Sequence, residues 1–231
     1  MRTVLVTGAN RGIGLELARQ YATDGWRVHA CCREPGSARE LDLLQRASGG
    51  RVIPHRLDVT DAARIHALAA QLAGQPIDIL LNNAGVYGTQ GESFGNLAES
   101  DWIEVLRVNT LAPFRMAEAF VEHVAASGMK LFATISSKMG SIDDNTSGGR
   151  YAYRSSKAAV NMVTRSLAVD LRGRGITAVV LNPGWVRTRM GGAGAPLAVE
   201  ESVGRIRAVL DRVTPAQSGQ FLDHDGSVIP W

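Results

Sequence analysis

Short apolar runs alternate with segments of helical period along nearly the whole chain, and no other feature narrows the fold as much. The strand-like runs fall at 3–7, 27–32, 52–57, 77–81, 130–135, 176–181 and 219–222. Between them lie helical patterns at 12–24, 39–47, 61–73, 99–126, 150–172 and 199–213. Pro113 stands inside the longest of these, where its ring can bend the helix. Asp61 opens the third helical pattern, with Asp58 or Thr60 available as its cap. Strands separated by helices imply a mostly parallel sheet covered on both faces, joined by right-handed crossovers. The chain has 231 residues, enough for one such α/β domain spanning 1–231 without disulfides or metals to hold it.

The first strand runs straight into Thr7-Gly8-Ala9-Asn10-Arg11-Gly12-Ile13-Gly14, which opens the first helix. Glycines there let the backbone turn sharply and come close to a diphosphate. The helix start then offers unpaired N–H groups and the positive end of its dipole. The spacing is Gly-x-x-x-Gly-x-Gly rather than the general dinucleotide fingerprint, and taken alone it is also compatible with a plain strand–helix turn. With the alternation around it, the expected fold is a single doubly wound Rossmann-like domain with a seven-stranded, mostly parallel sheet and helices on both faces.

Composition excludes several other functions. Twenty-five Lys and Arg are scattered among 22 Asp and Glu, for a net charge of +3. That leaves no basic stripe for nucleic acid. No run of about 18 apolar residues exists to cross a membrane, and the opening residues read as a strand rather than a leader. The two cysteines, Cys31 and Cys32, are neighbours in one strand and point to opposite faces, so they cannot pair. A reducing, cytoplasmic location is the expectation. The five histidines show no metal-ligand spacing, and no metal is expected.

Three further strings carry a resemblance. They are Ile135-Ser136-Ser137-Lys138-Met139-Gly140-Ser141, Tyr151-Ala152-Tyr153-Arg154-Ser155-Ser156-Lys157 and Pro183-Gly184-Trp185-Val186-Arg187-Thr188. With the glycine loop, Asp58-Val59 and Asn82-Asn83-Ala84-Gly85, they resemble the short-chain dehydrogenase/reductase superfamily. Within it they are similar to the C-factor/sniffer-like branch, which is related to carbonyl reductases. The closing segment from Gly219 to Trp231 fits that branch too. The resemblance implies an NADP(H)-dependent oxidoreductase that acts on a small carbonyl or alcohol and assembles as a homodimer or homotetramer. It implies a catalytic set of Asn109, Ser137, Tyr153 and Lys157. The implied cofactor contacts are Gly8, Asn10, Arg11, Gly12, Ile13, Gly14, Arg33, Asp58, Val59, Asn83, Ala84, Gly85, Tyr153, Lys157, Pro183, Gly184, Val186 and Thr188. The rival function is an NADP-binding signalling protein with little turnover.

The residues themselves give chemical reasons for part of this. Reduction of a carbonyl needs a proton as well as a hydride, and a tyrosine with a free pKa of about 10 gives up a proton more readily beside a cation. Tyr153 and Lys157 stand i, i+4 on one helix face, so the ammonium is expected to lower the phenol's pKa. Tyr151 faces elsewhere. Ser137 closes the fifth strand, where a hydroxyl can hold a substrate oxygen. Asn109 can serve a proton relay, as the resemblance implies, or satisfy a buried backbone group. Cys32 stands where a carboxylate would accept a ribose hydroxyl, and Arg33 follows it. A guanidinium there, with Arg11, suits a 2′-phosphate, unless Glu34 pairs with Arg33. Asp58 reads equally as an adenine contact or a helix cap. The segment between Ser137 and Tyr153 is longer than the family usually shows, which enlarges the 143–149 loop. That loop, with 91–98 and 188–196, is expected to set the substrate.

Overall fold

The structure is a computed structural model and describes residues 1–89 and 91–231. Seven strands form one sheet: β1 (Thr3–Thr7), β2 (Arg27–Cys32), β3 (Val52–Arg56), β4 (Ile79–Asn82), β5 (Leu131–Ile135), β6 (Thr177–Asn182) and β7 (Phe221–Asp223). Their order is β3-β2-β1-β4-β5-β6-β7, and every neighbouring pair is parallel. The helices are α1 (Gly12–Thr23), α2 (Arg39–Ala47), α3 (Ala62–Gln71), α4 (Glu99–Leu106), α5 (Ala112–Ala125), α6 (Tyr151–Asp170) and α7 (Val199–Leu210).

The strands are apolar on both faces because both are covered. In β1, Val4 and Val6 pack with Leu17 and Tyr21 of α1, Leu41 of α2 and Ile206 of α7. Leu5 turns the other way, to Ile65 of α3 and Met116 and Phe120 of α5. Cys32 and Cys31 divide between the same two cores. His29 and His55, from adjacent β2 and β3, are buried with their ring nitrogens 2.9 Å apart. Among the described residues, no helix is long and apolar enough to cross a membrane.

Two local expectations are corrected. The pattern at 99–126 is two helices joined by a wide π turn over Arg107–Leu111, closed by the Ala112 amide donating to the Arg107 carbonyl. Pro113 falls in the first turn of α5, where a missing N–H costs little, so the proline alone does not interrupt the helix. The cap of α3 is Asp61, whose Oδ1 accepts the Arg64 amide at 3.1 Å, rather than Asp58 or Thr60. Asp58 Oδ1 instead accepts the Thr60 amide at 2.9 Å and hydroxyl at 2.8 Å.

Candidate active site

The strand order reverses between β1 and β4, which opens a crevice beyond their C-terminal ends. Apart from Asn109, in the π turn between α4 and α5, the site residues singled out from the sequence lie at that edge or on α6 beside it. Gly8, Asn10, Arg11, Gly12, Ile13 and Gly14 form the turn from β1 into α1. Arg33 follows β2, Asp58 and Val59 follow β3, and Asn83, Ala84 and Gly85 follow β4. Ser137 follows β5, and Pro183, Gly184, Val186 and Thr188 follow β6.

The turn between β1 and α1 is tied to the strand beside it. The Asn83 amide Nδ2 donates to the Thr7 carbonyl at 2.9 Å, and Thr7 Oγ1 accepts the Asn83 and Ala84 amides, each at 3.0 Å. A Cβ on Gly14 would stand 2.2 Å from the Gly8 carbonyl oxygen and 2.5 Å from Asn83 Nδ2, so only glycine lets the helix start this close. Helix α1 begins without a side-chain cap, which leaves its first N–H groups facing the crevice. Ile13 packs on the core below, and Thr188 approaches the Gly12 position to within 3.5 Å of where a Cβ would be.

At the end of β2 lies a cavity of about 460 Å³ lined by Arg33, Glu34, Arg56, Asp58, Asp61 and Arg64. Glu34 pairs with Arg56 at 3.0 Å, leaving Arg33 exposed and without that partner. Burial pushes the Asp58 carboxyl up, but the Thr60 amide and hydroxyl, with Arg33 and Arg107 nearby, outweigh it and hold the group below its usual value.

The chemical cluster sits where β5 ends against α6. Lys157 is buried and its Nζ donates to the Ile135 carbonyl at 3.0 Å. Gly140 makes this packing possible, because a Cβ there would lie 2.8 Å from that of Lys157. Tyr153, one turn earlier on the same face, is 7 % exposed, whereas Tyr151 points outward at 38 %. Ser136 turns inward and donates to Asn161 Oδ1 at 2.7 Å, leaving Ser137 on the crevice side, where its Oγ accepts the Met139 amide at 3.2 Å.

The expected direction of the Tyr153 shift is reversed here. Burial pushes the phenol up to about 12. The Ser137 hydroxyl opposes this, and the nearby Tyr87 phenol, as a like charge when ionised, adds to it. The Lys157 ammonium lies 5.6 Å from the Tyr153 ring centroid, committed to the Ile135 carbonyl rather than to the phenol oxygen. Burial also lowers Lys157, to about 8. At neutral pH both groups therefore hold their protons.

Asn109 lies in the π turn, buried. Its Oδ1 accepts the Val86 amide at 2.9 Å, and its Nδ2 donates to the Val86 carbonyl at 2.8 Å and Ser156 Oγ at 3.0 Å. The side chain thus satisfies the backbone groups of Val86, as one of its two expected roles requires. A Cβ on Gly85 would be 3.3 Å from Asn109 Oδ1 and 3.7 Å from Lys157 Nζ, so the three converge.

Several neighbours escape sequence reasoning. Tyr87 packs at a tilt against Tyr153 with ring centroids 4.5 Å apart, and the Arg150 guanidinium lies 5.5 Å from the Tyr87 ring centroid. Buried Glu92 accepts the Ala152 amide at 3.1 Å, clamping the start of α6. These contacts join segments about sixty residues apart, with no short motif to announce them. Trp185 is exposed and donates to the Gly191 carbonyl at 2.8 Å, so it braces the 188–196 loop. The 143–149 loop is anchored by the Asp143 amide donating to the Trp231 carbonyl at 3.0 Å and by Arg154 donating to Ser147 Oγ at 2.8 Å.

The short chain dehydrogenase family profile matches residues 2–195. The chain belongs to this family. It is 40 % identical over 167 residues to "C-signal" of Myxococcus xanthus, covering 72 % of this chain and all of that protein. The carbonyl reductase Sniffer of D. melanogaster superposes with a TM-score of 0.95 at 32 % identity, covering all of both chains. The NADPH-bound carbonyl reductase from chicken fatty liver gives 0.92 at 37 % identity, covering 100 % of this chain and 99 % of that one. The seven-stranded parallel sheet of this short-chain dehydrogenase is thus shared over its full length with oxidoreductases.

Proposed function

We propose that the chain is an NADPH-dependent carbonyl reductase or alcohol dehydrogenase in which Tyr153 exchanges the proton. The observation that carries this is the burial of Tyr153 and Lys157, one turn apart on α6, against Ser137 and the end of β5 beside the glycine turn. The residues at the crevice fit a dinucleotide. The uncapped start of α1 suits a diphosphate, the Gly14 approach leaves no room for a side chain, and Arg33 at the β2 cavity suits a 2′-phosphate. Arg11, exposed at the same turn, can share that phosphate. The relatives that carry NADP or NADPH support the same choice of cofactor.

A bound nicotinamide would supply the hydride. The protein supplies the remainder. Ser137 holds the carbonyl oxygen and places it against Tyr153. The phenol is protonated throughout the neutral range, so it is ready to donate as the oxygen gains charge. Lys157, still charged below about pH 8, stabilises the phenolate left behind. The Tyr87 ring beside it and the burial of Tyr153 itself keep water from the phenol. Thr188, at the mouth of the 188–196 loop, suits an amide contact and closure over the crevice.

Phe114, Met162 and Val169 stand exposed on α5 and α6, which supports a second copy of the chain packing there. The likeness to "C-signal" favours one second reading, an NADP-binding signal with little turnover. One experiment separates the two: follow NADPH absorbance against aldehydes, ketones, quinones and hydroxysteroids, with Tyr153→Phe as control. Turnover that the variant loses supports the enzyme. Tight NADPH binding without turnover on any class supports the signal.

A further inference from the structure

We propose that Arg150 selects carbonyl substrates that carry a carboxylate; this rests on the oxidoreductase reading of the site. Arg150 is one of two non-glycine residues with positive φ among those described, at 51°. A left-handed arginine is strained, and such strain persists where the surroundings hold it in place. Here it immediately precedes α6 and delivers the guanidinium to the face of Tyr87, 5.5 Å from the ring centroid. Tyr87 in turn packs at a tilt against Tyr153. The cation is therefore one ring away from the proton donor, held by its cation–π contact.

Within the described residues, the Tyr87 ring is the one partner of its charge. Among the described residues no carboxylate oxygen lies within 4 Å of Arg150, and its Nη1, like Glu92 Oε2, is buried without a hydrogen-bond partner. The other cations around this mouth are engaged. Lys138 pairs with Asp144 at 3.3 Å, and Arg154 donates to Ser147 Oγ and the Met139 carbonyl. Glu92, the nearby buried acid, has its Oε1 on the Ala152 amide instead of on Arg150. Nε and Nη2 of the half-buried guanidinium donate to no described residue, and together they match a planar carboxylate through two parallel hydrogen bonds. A substrate spanning Tyr87 would place its carbonyl at Tyr153 and its carboxylate at Arg150.

The test pairs 4-carboxybenzaldehyde and 4-formylcinnamate, which differ in reach, each with its methyl ester. kcat/KM is measured with NADPH for wild type, Arg150→Met and Arg150→Lys. The expected result is an acid-over-ester preference of about tenfold or more for at least one length in wild type. It falls to near one in Arg150→Met and is partly kept in Arg150→Lys. Calorimetric titration of the same acids and esters into the NADPH-saturated proteins reads the preference without turnover. A protein that reduces none of these aldehydes but binds the acids through Arg150 would count against the oxidoreductase reading alone. Equal values for acid and ester in wild type, or a preference that survives in Arg150→Met, would overturn the role of Arg150.

Discussion

Raising the pH is the perturbation that most directly interrogates the pair on α6. Burial sets Lys157 to about 8 and Tyr153 to about 12. Up to pH 8 both are protonated, so kcat/KM for reduction should be level. Above it the ammonium is lost while the phenol remains, and the phenolate formed by proton donation has no cation beside it. The rate should then fall about tenfold per pH unit, reaching roughly one hundredth at pH 10. The sign follows from Lys157 being needed in its charged form. Initial rates with saturating NADPH and a carbonyl at limiting concentration give the profile, with stability checked at each pH. In Lys157→Arg, which keeps its charge across this range, residual activity should show no descending limb near pH 8. A level profile to pH 10 in wild type, or a limb near 8 that persists in the arginine variant, would refute the reasoning.

Other outcomes follow from the same structure. Arg33→Ala should weaken NADPH binding by about 10- to 100-fold and leave NADH nearly unaffected, as read by fluorescence titration; equal losses for both would remove the 2′-phosphate role. The buried His29 is held down to about 4 by burial and by His55, Arg27 and His123 around it. Because the unfolded chain binds that proton near pH 6.5, this share of the stability is complete above 6.5 and lost as the pH falls toward 4. Urea unfolding should show about 2 kcal/mol less stability at pH 5 than at pH 7, and His29→Leu should flatten that dependence. Met162→Asp, on the exposed face of α6, should shift sedimentation toward the monomer; an unchanged mass would move the pairing surface elsewhere.

Much of this molecule is written locally. Thr3–Thr7 and Thr177–Asn182 are apolar runs flanked by turns, and both are strands buried on two faces. The glycine spacing and the i, i+4 interval of Tyr153 and Lys157 are likewise set within one turn of chain. What escaped depends on distant partners. Asp58, Thr60 and Asp61 are all competent caps, and only the position of α3 decides for Asp61. The π turn at Arg107–Leu111 follows from seating Asn109 on Val86 and Ser156, contacts invisible from the helix alone. The rise in the Tyr153 pKa comes from burial first and from Tyr87 beside it, neither of which the spacing encodes.

Transfer of deuterium from 4-deuterated NADPH to a carbonyl acceptor, followed by mass spectrometry in a single turnover, probes the chemistry at Tyr153 without intermediaries. The account predicts label on the product carbon, formed at least about 100-fold more slowly by Tyr153→Phe although that variant binds the cofactor as tightly as wild type. Unlabelled product, or labelled product formed equally fast by the variant, would contradict it.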